Sequence, residues 1–149
     1  MNEELVLMTD LQRQDAKSPR RQEPGEDVDA LAHAVIGAAL EVHKTLGPGY
    51  PESIYEEALC HELMLKSIPF ERQHSVPVSY KGHHCGEGRL DLWVDRKLIV
   101  ELKAVEQVLS KHKAQGKAYL VATRCQLALV INFNEALLKD GIHRIVYTP

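Results

Sequence analysis

Apolar residues change their spacing several times along the chain, and each change marks an element. From Val28 they recur at helical intervals (Leu31, Ala32, Val35, Ile36, Ala39, Leu40, with His43 on the same line), which predicts a helix entered from Asp27 as its N-cap. Leu46-Gly47-Pro48-Gly49 ends it. Pro51 suits the first turn of a second helix that runs to about Lys66, with Tyr55, Ala58, Leu59 and Leu63 inward. Period-two alternation follows at Val76, Val78 and Tyr80. A glycine-rich turn is expected from Lys81-Gly82 through Gly86-Glu87-Gly88, then strands over Arg89 to Val94 and Leu98 to Lys103. Ser110 is placed to cap a third helix reaching Thr123, with Ala114, Ala118 and Val121 as its inner stripe. Leu127 to Ile131 reads as a strand covered on both faces, and Ile142 to Tyr147 as a short last one. Helix, helix, strands, helix, strands: the order predicts an α/β domain with a mixed central sheet flanked by helices.

The register of the central hairpin follows from the pattern alone. Leu90, Leu92 and Val94 share one face and Arg89, Asp91 and Trp93 the other; in the next strand Leu98, Val100 and Leu102 oppose Ile99, Glu101 and Lys103. A three-residue loop at Asp95-Arg96-Lys97 pairs position 94 with 98 and makes the apolar faces coincide. Asp91 then lies opposite Glu101. Directly opposed side chains start roughly 4.5 to 5.5 Å apart, and like charges so placed repel unless something positive sits between them.

Length and composition bound what such a sheet can do. A chain of 149 residues, 44% hydrophobic and 26% charged, has room for one ordinary core, and no apolar run is long enough to span a bilayer. Residues 1–27 mix charge and turn-formers without periodicity and are expected to be a flexible arm; residues 28–149 form the domain. The N-terminus lacks the basic and apolar regions of a secretory signal. Cys60, Cys85 and Cys125, an odd number without CxxC spacing, fit free thiols in the cytoplasm. Residues 1–29 hold eight acids and four bases, whereas residues 30–149 hold fourteen bases and thirteen acids, so the domain is close to neutral. Within it, Lys103 to Arg124 carries five bases against the single acid Glu106, a stretch that either faces phosphates or is a solvated helix face.

The pattern with chemical content is D-x9-E-x-K: Asp91, Glu101 and Lys103 on one face of the hairpin. Two hard carboxylates suit Mg²⁺ or Mn²⁺, and a nearby lysine can orient or deprotonate a water, which outlines a hydrolytic site for phosphodiesters. The competing reading is an ordinary polar sheet face. Glu52 and Tyr55 share a face in the first turn of the second helix, and Gln115 and Tyr119 share one on the third. Other groups carry less. His83-His84-Cys85 lacks a second ligand pair at zinc spacing and reads as surface, Cys60-His61 lacks a supporting acid, and Gly47-Pro48-Gly49 lacks the lysine and hydroxyl of a phosphate loop. Trp93 and Tyr80 could stack on bases, but strand aromatics of this kind are expected to pack the core or its rim.

With Gly49-Tyr50-Pro51-Glu52-Ser53-Ile54-Tyr55 in view, the chain resembles the GxxExxY proteins. The resemblance continues through Gly88-Arg89-Leu90-Asp91, Val100 to Glu106, Gln115 and Ile131-Asn132-Phe133, over about residues 28 to 147. That family is similar to the PD-(D/E)XK nucleases, which implies a restriction-endonuclease-like core and Mg²⁺ (or Mn²⁺) as cofactor. It implies Asp91 and Glu101 as metal ligands, Glu52 as the helix carboxylate joining them, and Lys103 as the catalytic lysine. Gln115 and Tyr119 match the Q-x-x-x-Y of RecB-like nucleases; Gln115 is expected to position the lysine or a phosphate. Tyr55, Tyr119, Lys113 and Lys117 are expected to contact substrate. Two departures stand out: no proline precedes Asp91, and Gly116-Lys117 replace two apolar residues, which is expected to loosen the third helix because mid-helix glycine costs about 1 kcal/mol relative to alanine. The implied activity is a metal-dependent nuclease acting on nucleic acid, DNA rather than RNA. The alternative is a catalytically silent nucleic-acid-binding or protein-interaction module on the same fold. The near-neutral domain would suit recruitment by a partner protein or action as a homodimer.

Overall fold

A computed structural model of the chain describes residues 24–149; the flexible arm expected over residues 1–27 lies outside the described residues up to position 23. Its elements are α1 (Glu26–Leu46), α2 (Glu52–Leu65), β1 (Phe70–Tyr80), β2 (His83–Val94), β3 (Leu98–Lys103), α3 (Ser110–Thr123), β4 (Leu127–Asn132), a 3₁₀ turn (Leu138–Gly141) and β5 (Ile142–Val146). The five strands form one sheet in chain order, β3 parallel to β4 and every other pair antiparallel. It is the mixed, helix-flanked sheet that the pattern predicts.

Helices α1 and α2 cover one face and α3 the other. Leu92, Val94, Leu98, Val100, Leu102, Leu127, Leu129 and Ile131 meet Val35, Ile36, Ala39, Leu59 and Leu63 in the larger core. Leu90, Ile99 and Ala128 meet Tyr119 and Leu120 in the smaller one. Strand β4 is buried along its whole length, as a strand sandwiched between helical layers must be.

Several boundaries differ from the predicted ones, each for an identifiable reason. Helix α1 starts at Glu26 with Gly25 as N-cap, its N–H held by Gln126 Oε1 at 3.0 Å; Asp27 instead pairs with Lys97 Nζ at 3.2 Å. Leu109, not Ser110, is the N-cap of α3, and its N–H donates to His112 Nδ1 at 2.9 Å. The glycine-rich turn shrinks to Lys81-Gly82, because His83 to Gly88 already belong to β2. Leu90 packs on the α3 side, away from Leu92 and Val94. The break in alternation coincides with Gln73, between the Arg72–Leu92 and His74–Leu90 pairs, whose φ of 50° is left-handed.

The predicted inner stripe of α3 is also wrong. Ala114, Ala118 and Val121 are exposed, and the buried residues are Gly116, Tyr119 and Leu120. Gly116 does not loosen the helix but lets it approach the sheet. A Cβ there would lie 2.9 Å from Ile145 Cδ1 and 3.7 Å from Val130 Cγ2.

Candidate active site

The hairpin register is the one derived from alternation: Val94 pairs with Leu98, Trp93 with Ile99 and Leu92 with Val100. At the next level Asp91 and Glu101 face each other, and their carboxylates make the cross-strand bonds. The Asp91 N–H donates to Glu101 Oε2 at 3.3 Å, and the Leu102 N–H donates to Asp91 Oδ2 at 2.8 Å. Each acid is thereby fixed by one oxygen. Glu101 is 3% exposed, and its second oxygen, Oε1, is buried with no hydrogen-bond partner. Burial, then the charge of Asp91 and a bond to its carboxyl, push Glu101 up to about 9, with Lys103 opposing weakly. The second oxygen of this buried acid, beside a second carboxylate, therefore has no positive or donor group to meet it among the described residues.

Glu52, the first residue of α2, lies at the solvent-facing rim; partial burial raises its pKa, the Lys103 charge lowers it, and Asp91 raises it again. Lys103, half-buried at the end of β3, is thus within electrostatic reach of Glu52 and Glu101. His112, in the first turn of α3, flanks the same lysine: burial and then Lys103 lower its pKa. Glu52 and His112, each in the first turn of its helix, therefore both lie within electrostatic reach of Lys103, the last residue of β3.

The G-x-x-E-x-x-Y stretch can now be read physically. Gly49 has φ of 113°, which a side chain would resist, and Gly47 has φ of 67°. Tyr55 Oη donates to the Gly47 carbonyl at 2.5 Å and accepts the Tyr50 N–H at 3.1 Å, while its ring stacks on Phe133 at 4.7 Å. The tyrosine ties down the loop that delivers Glu52. It is fully buried, so its expected place among the substrate contacts is corrected: no surface of its side chain is open to a ligand. Tyr55→Phe is expected to cost about 1–3 kcal/mol by leaving both backbone groups unpaired, read as a lowered Tm, while DNA affinity stays as in wild type. A fall in affinity with unchanged Tm would restore Tyr55 to the binding surface.

Gln115 and Tyr119 form a second group. Gln115 Nε2 donates to Tyr119 Oη at 3.3 Å, and the same oxygen accepts the Arg89 N–H at 3.2 Å, tying α3 to β2 two residues before Asp91. The contact requires Gly88, since a Cβ there would lie 2.6 Å from Tyr119 Cε1. Lys113 and Lys117 are exposed on α3. Burial, and then the Lys113 charge, lower the pKa of His143, whose register row (Glu101, Val130, His143) puts it two strands, ~10 Å, from Glu101.

Two residues to which the sequence reading assigned no role support the site. One is His112. The other is Asn132, fully buried, whose Oδ1 accepts the Val105 N–H at 3.1 Å and whose Nδ2 donates to the Val105 carbonyl at 2.8 Å. With Phe133 N–H on the Lys103 carbonyl at 2.9 Å, it fixes the chain leaving β3. A lone polar residue ending a continuous apolar run was the available signal.

A mixed five-stranded sheet flanked by helices, with two acids and a lysine on neighbouring strands, is consistent with the restriction-endonuclease-like fold. A family model for the PD-(D/E)XK nuclease superfamily matches residues 29–145, and the chain belongs to that superfamily. Neither the curated proteins nor the solved structures contain a significant match to it.

Among the described residues no three His, Cys, Asp or Glu side chains gather tightly enough to enclose a metal by themselves, and His83-His84-Cys85 is no exception. Asp91 and Glu101 still fit Mg²⁺ or Mn²⁺. These ions are commonly held by one or two carboxylates and keep most of their coordination for water and phosphate oxygens.

Proposed function

We propose that this chain is a metal-dependent nuclease that hydrolyses phosphodiester bonds in DNA. The observation that carries the reading is the pairing of half-buried Asp91 with buried Glu101, which keeps an unpartnered oxygen, with Lys103 in electrostatic reach. Asp91 and Glu101 would hold Mg²⁺ or Mn²⁺, with Glu52 joining from the rim. When bound, the ion supplies Lewis-acid polarisation of a phosphoryl oxygen. Lys103 holds the attacking water or takes its proton. Gln115 and Tyr119 brace α3 against β2, and Lys113 and Lys117 lie on the exposed side of α3, where a phosphate backbone would pass.

The site is open at Glu52 and Lys103, as a polymeric substrate requires. No described helix is long and apolar enough to cross a membrane. Three free thiols favour a cytoplasmic setting. A recruiting protein or a homodimer would supply affinity that a near-neutral domain lacks.

Single-stranded, duplex and branched DNA incubated with Mn²⁺ or Mg²⁺ test the reading. Lys103→Ala and Glu101→Ala are expected to lower the cleavage rate at least ~100-fold, the scale of losing a group that acts on the reacting atoms. Equal inertness of wild type and both variants, with DNA binding retained and indifferent to metal, would instead identify a silent binding module.

A further inference from the structure

The β1–β2 hairpin extends well past the sheet that supports it. Of the twelve residues of β2, only Leu92 to Val94 pair with β3. Helix α3 covers the hairpin as far as Val76 and Gly88. From Pro77 to Glu87 every residue is exposed except the half-buried Gly86. Tyr80, which alternation would place in the core or its rim, is 65% exposed, and Val78 is 48% exposed. A free two-stranded ribbon has little stability of its own, so open apolar side chains along it need a purpose.

We infer that this ribbon enters the major groove of duplex DNA beside the carboxylate site, an inference that rests on the proposed nuclease reading for its substrate. Size agrees. The free part of β1, Pro77 to Tyr80, is ~10 Å long, and the major groove, about 12 Å wide and 8.5 Å deep, admits a two-stranded ribbon. Charge agrees as well. No acid occurs from Pro77 to Gly86, while Lys81, His83 and His84 crowd the tip. The first acid, Glu87, is held by Ser75 Oγ at 2.6 Å.

Backbone geometry gives the ribbon a defined shape. Lys81 and Gly82 have φ of 48° and 81°, the two left-handed residues of a tight hairpin turn, and a bulge between Val78 and Ser79 adds twist. Continuity supplies the last argument. The strand that carries His83 and His84 runs on to Asp91, ~26 Å away, so the tip would touch the duplex within one helical turn of the bond being cut. Pairing of the open β1 edge with another protein strand is disfavoured by Pro77, which lacks an N–H, and by the left-handed Gln73.

Fluorescence anisotropy with the full chain, Ca²⁺ in place of Mg²⁺, and a labelled duplex or its single strand tests the inference. Tyr80→Ala and the double variant Lys81→Glu, His84→Glu are each expected to weaken duplex binding about tenfold or more, with single-strand binding changed less than about threefold and Tm unchanged. The double variant should also flatten the dependence of affinity on salt. Duplex affinity within about twofold of wild type overturns the inference. So does a wild type that binds duplex no better than single strand, or a dimer that the variants dissolve. The catalytic reading is judged apart, by hydrolysis of bis(p-nitrophenyl) phosphate in Mn²⁺ by wild type against Glu101→Gln.

Discussion

Glu101→Gln is expected to make the metal-free protein more stable at pH 8, by on the order of 3 kcal/mol, or roughly 5–10 °C in Tm. The unfolded chain ionises this carboxyl above its ordinary 4.5, whereas the folded chain holds the proton up to about 9. Between these limits the folded state binds a proton that the unfolded state has lost, so stability declines as pH rises through that window. Below about 4.5 both states are protonated and the penalty disappears. Glutamine does not titrate, yet it keeps an oxygen for the Asp91 N–H and can donate to the Asp91 carboxylate. The gap between variant and wild type should therefore be small at pH 4.5 and widen toward pH 9, measured as Tm across that range. A variant less stable than wild type at pH 8 would mean that Glu101 serves the fold, and the argument for a cation there would lose its electrostatic basis.

The juxtaposition of Asp91 and Glu101 was legible in the sequence because it depends on period-two geometry alone. The loop of Asp95-Arg96-Lys97 and the coincidence of two apolar faces fix the register, and the register opposes Asp91 to Glu101. Less of α3 could be read. Alanine is small enough to lie on either side of a helix, so Ala114 and Ala118 mimicked an inner stripe, while Gly116, which sequence logic counts as a defect, sits where the helix packs closely on β4 and β5. The β2 half of the ribbon, His83 to Gly88, escaped because a largely exposed strand interrupted by Gly86 and Gly88 shows no alternation. Leu90 was misplaced because nothing local announces the left-handed Gln73 opposite. Tyr55 shows a different limit: its spacing from Glu52 puts it near the chemistry, but only its bonds to Gly47 and Tyr50 reveal that it positions the loop.

Occupation of the proposed site should be coupled to that same proton. Below about pH 9 the Asp91–Glu101 pair holds a hydrogen, and a divalent cation can use Glu101 Oε1 only after displacing it. Binding of Mg²⁺ or Mn²⁺ should release about one proton per ion at pH 7–8, and apparent affinity should rise about tenfold per pH unit up to about 9. Calorimetric titration in two buffers of different ionisation enthalpy measures the proton directly. The stabilisation is linked to occupancy: metal at about one hundred times its Kd adds about 2.7 kcal/mol, which cancels most of the penalty that Glu101 imposes on the empty fold. Glu101→Gln and Asp91→Asn should abolish both the proton release and the rise in Tm, whereas Glu52→Gln, at the open rim, should weaken metal binding and leave the release intact. Metal binding without proton release, or an unchanged response in Asp91→Asn, would place the ion elsewhere on the protein and separate the Asp91–Glu101 pair from catalysis.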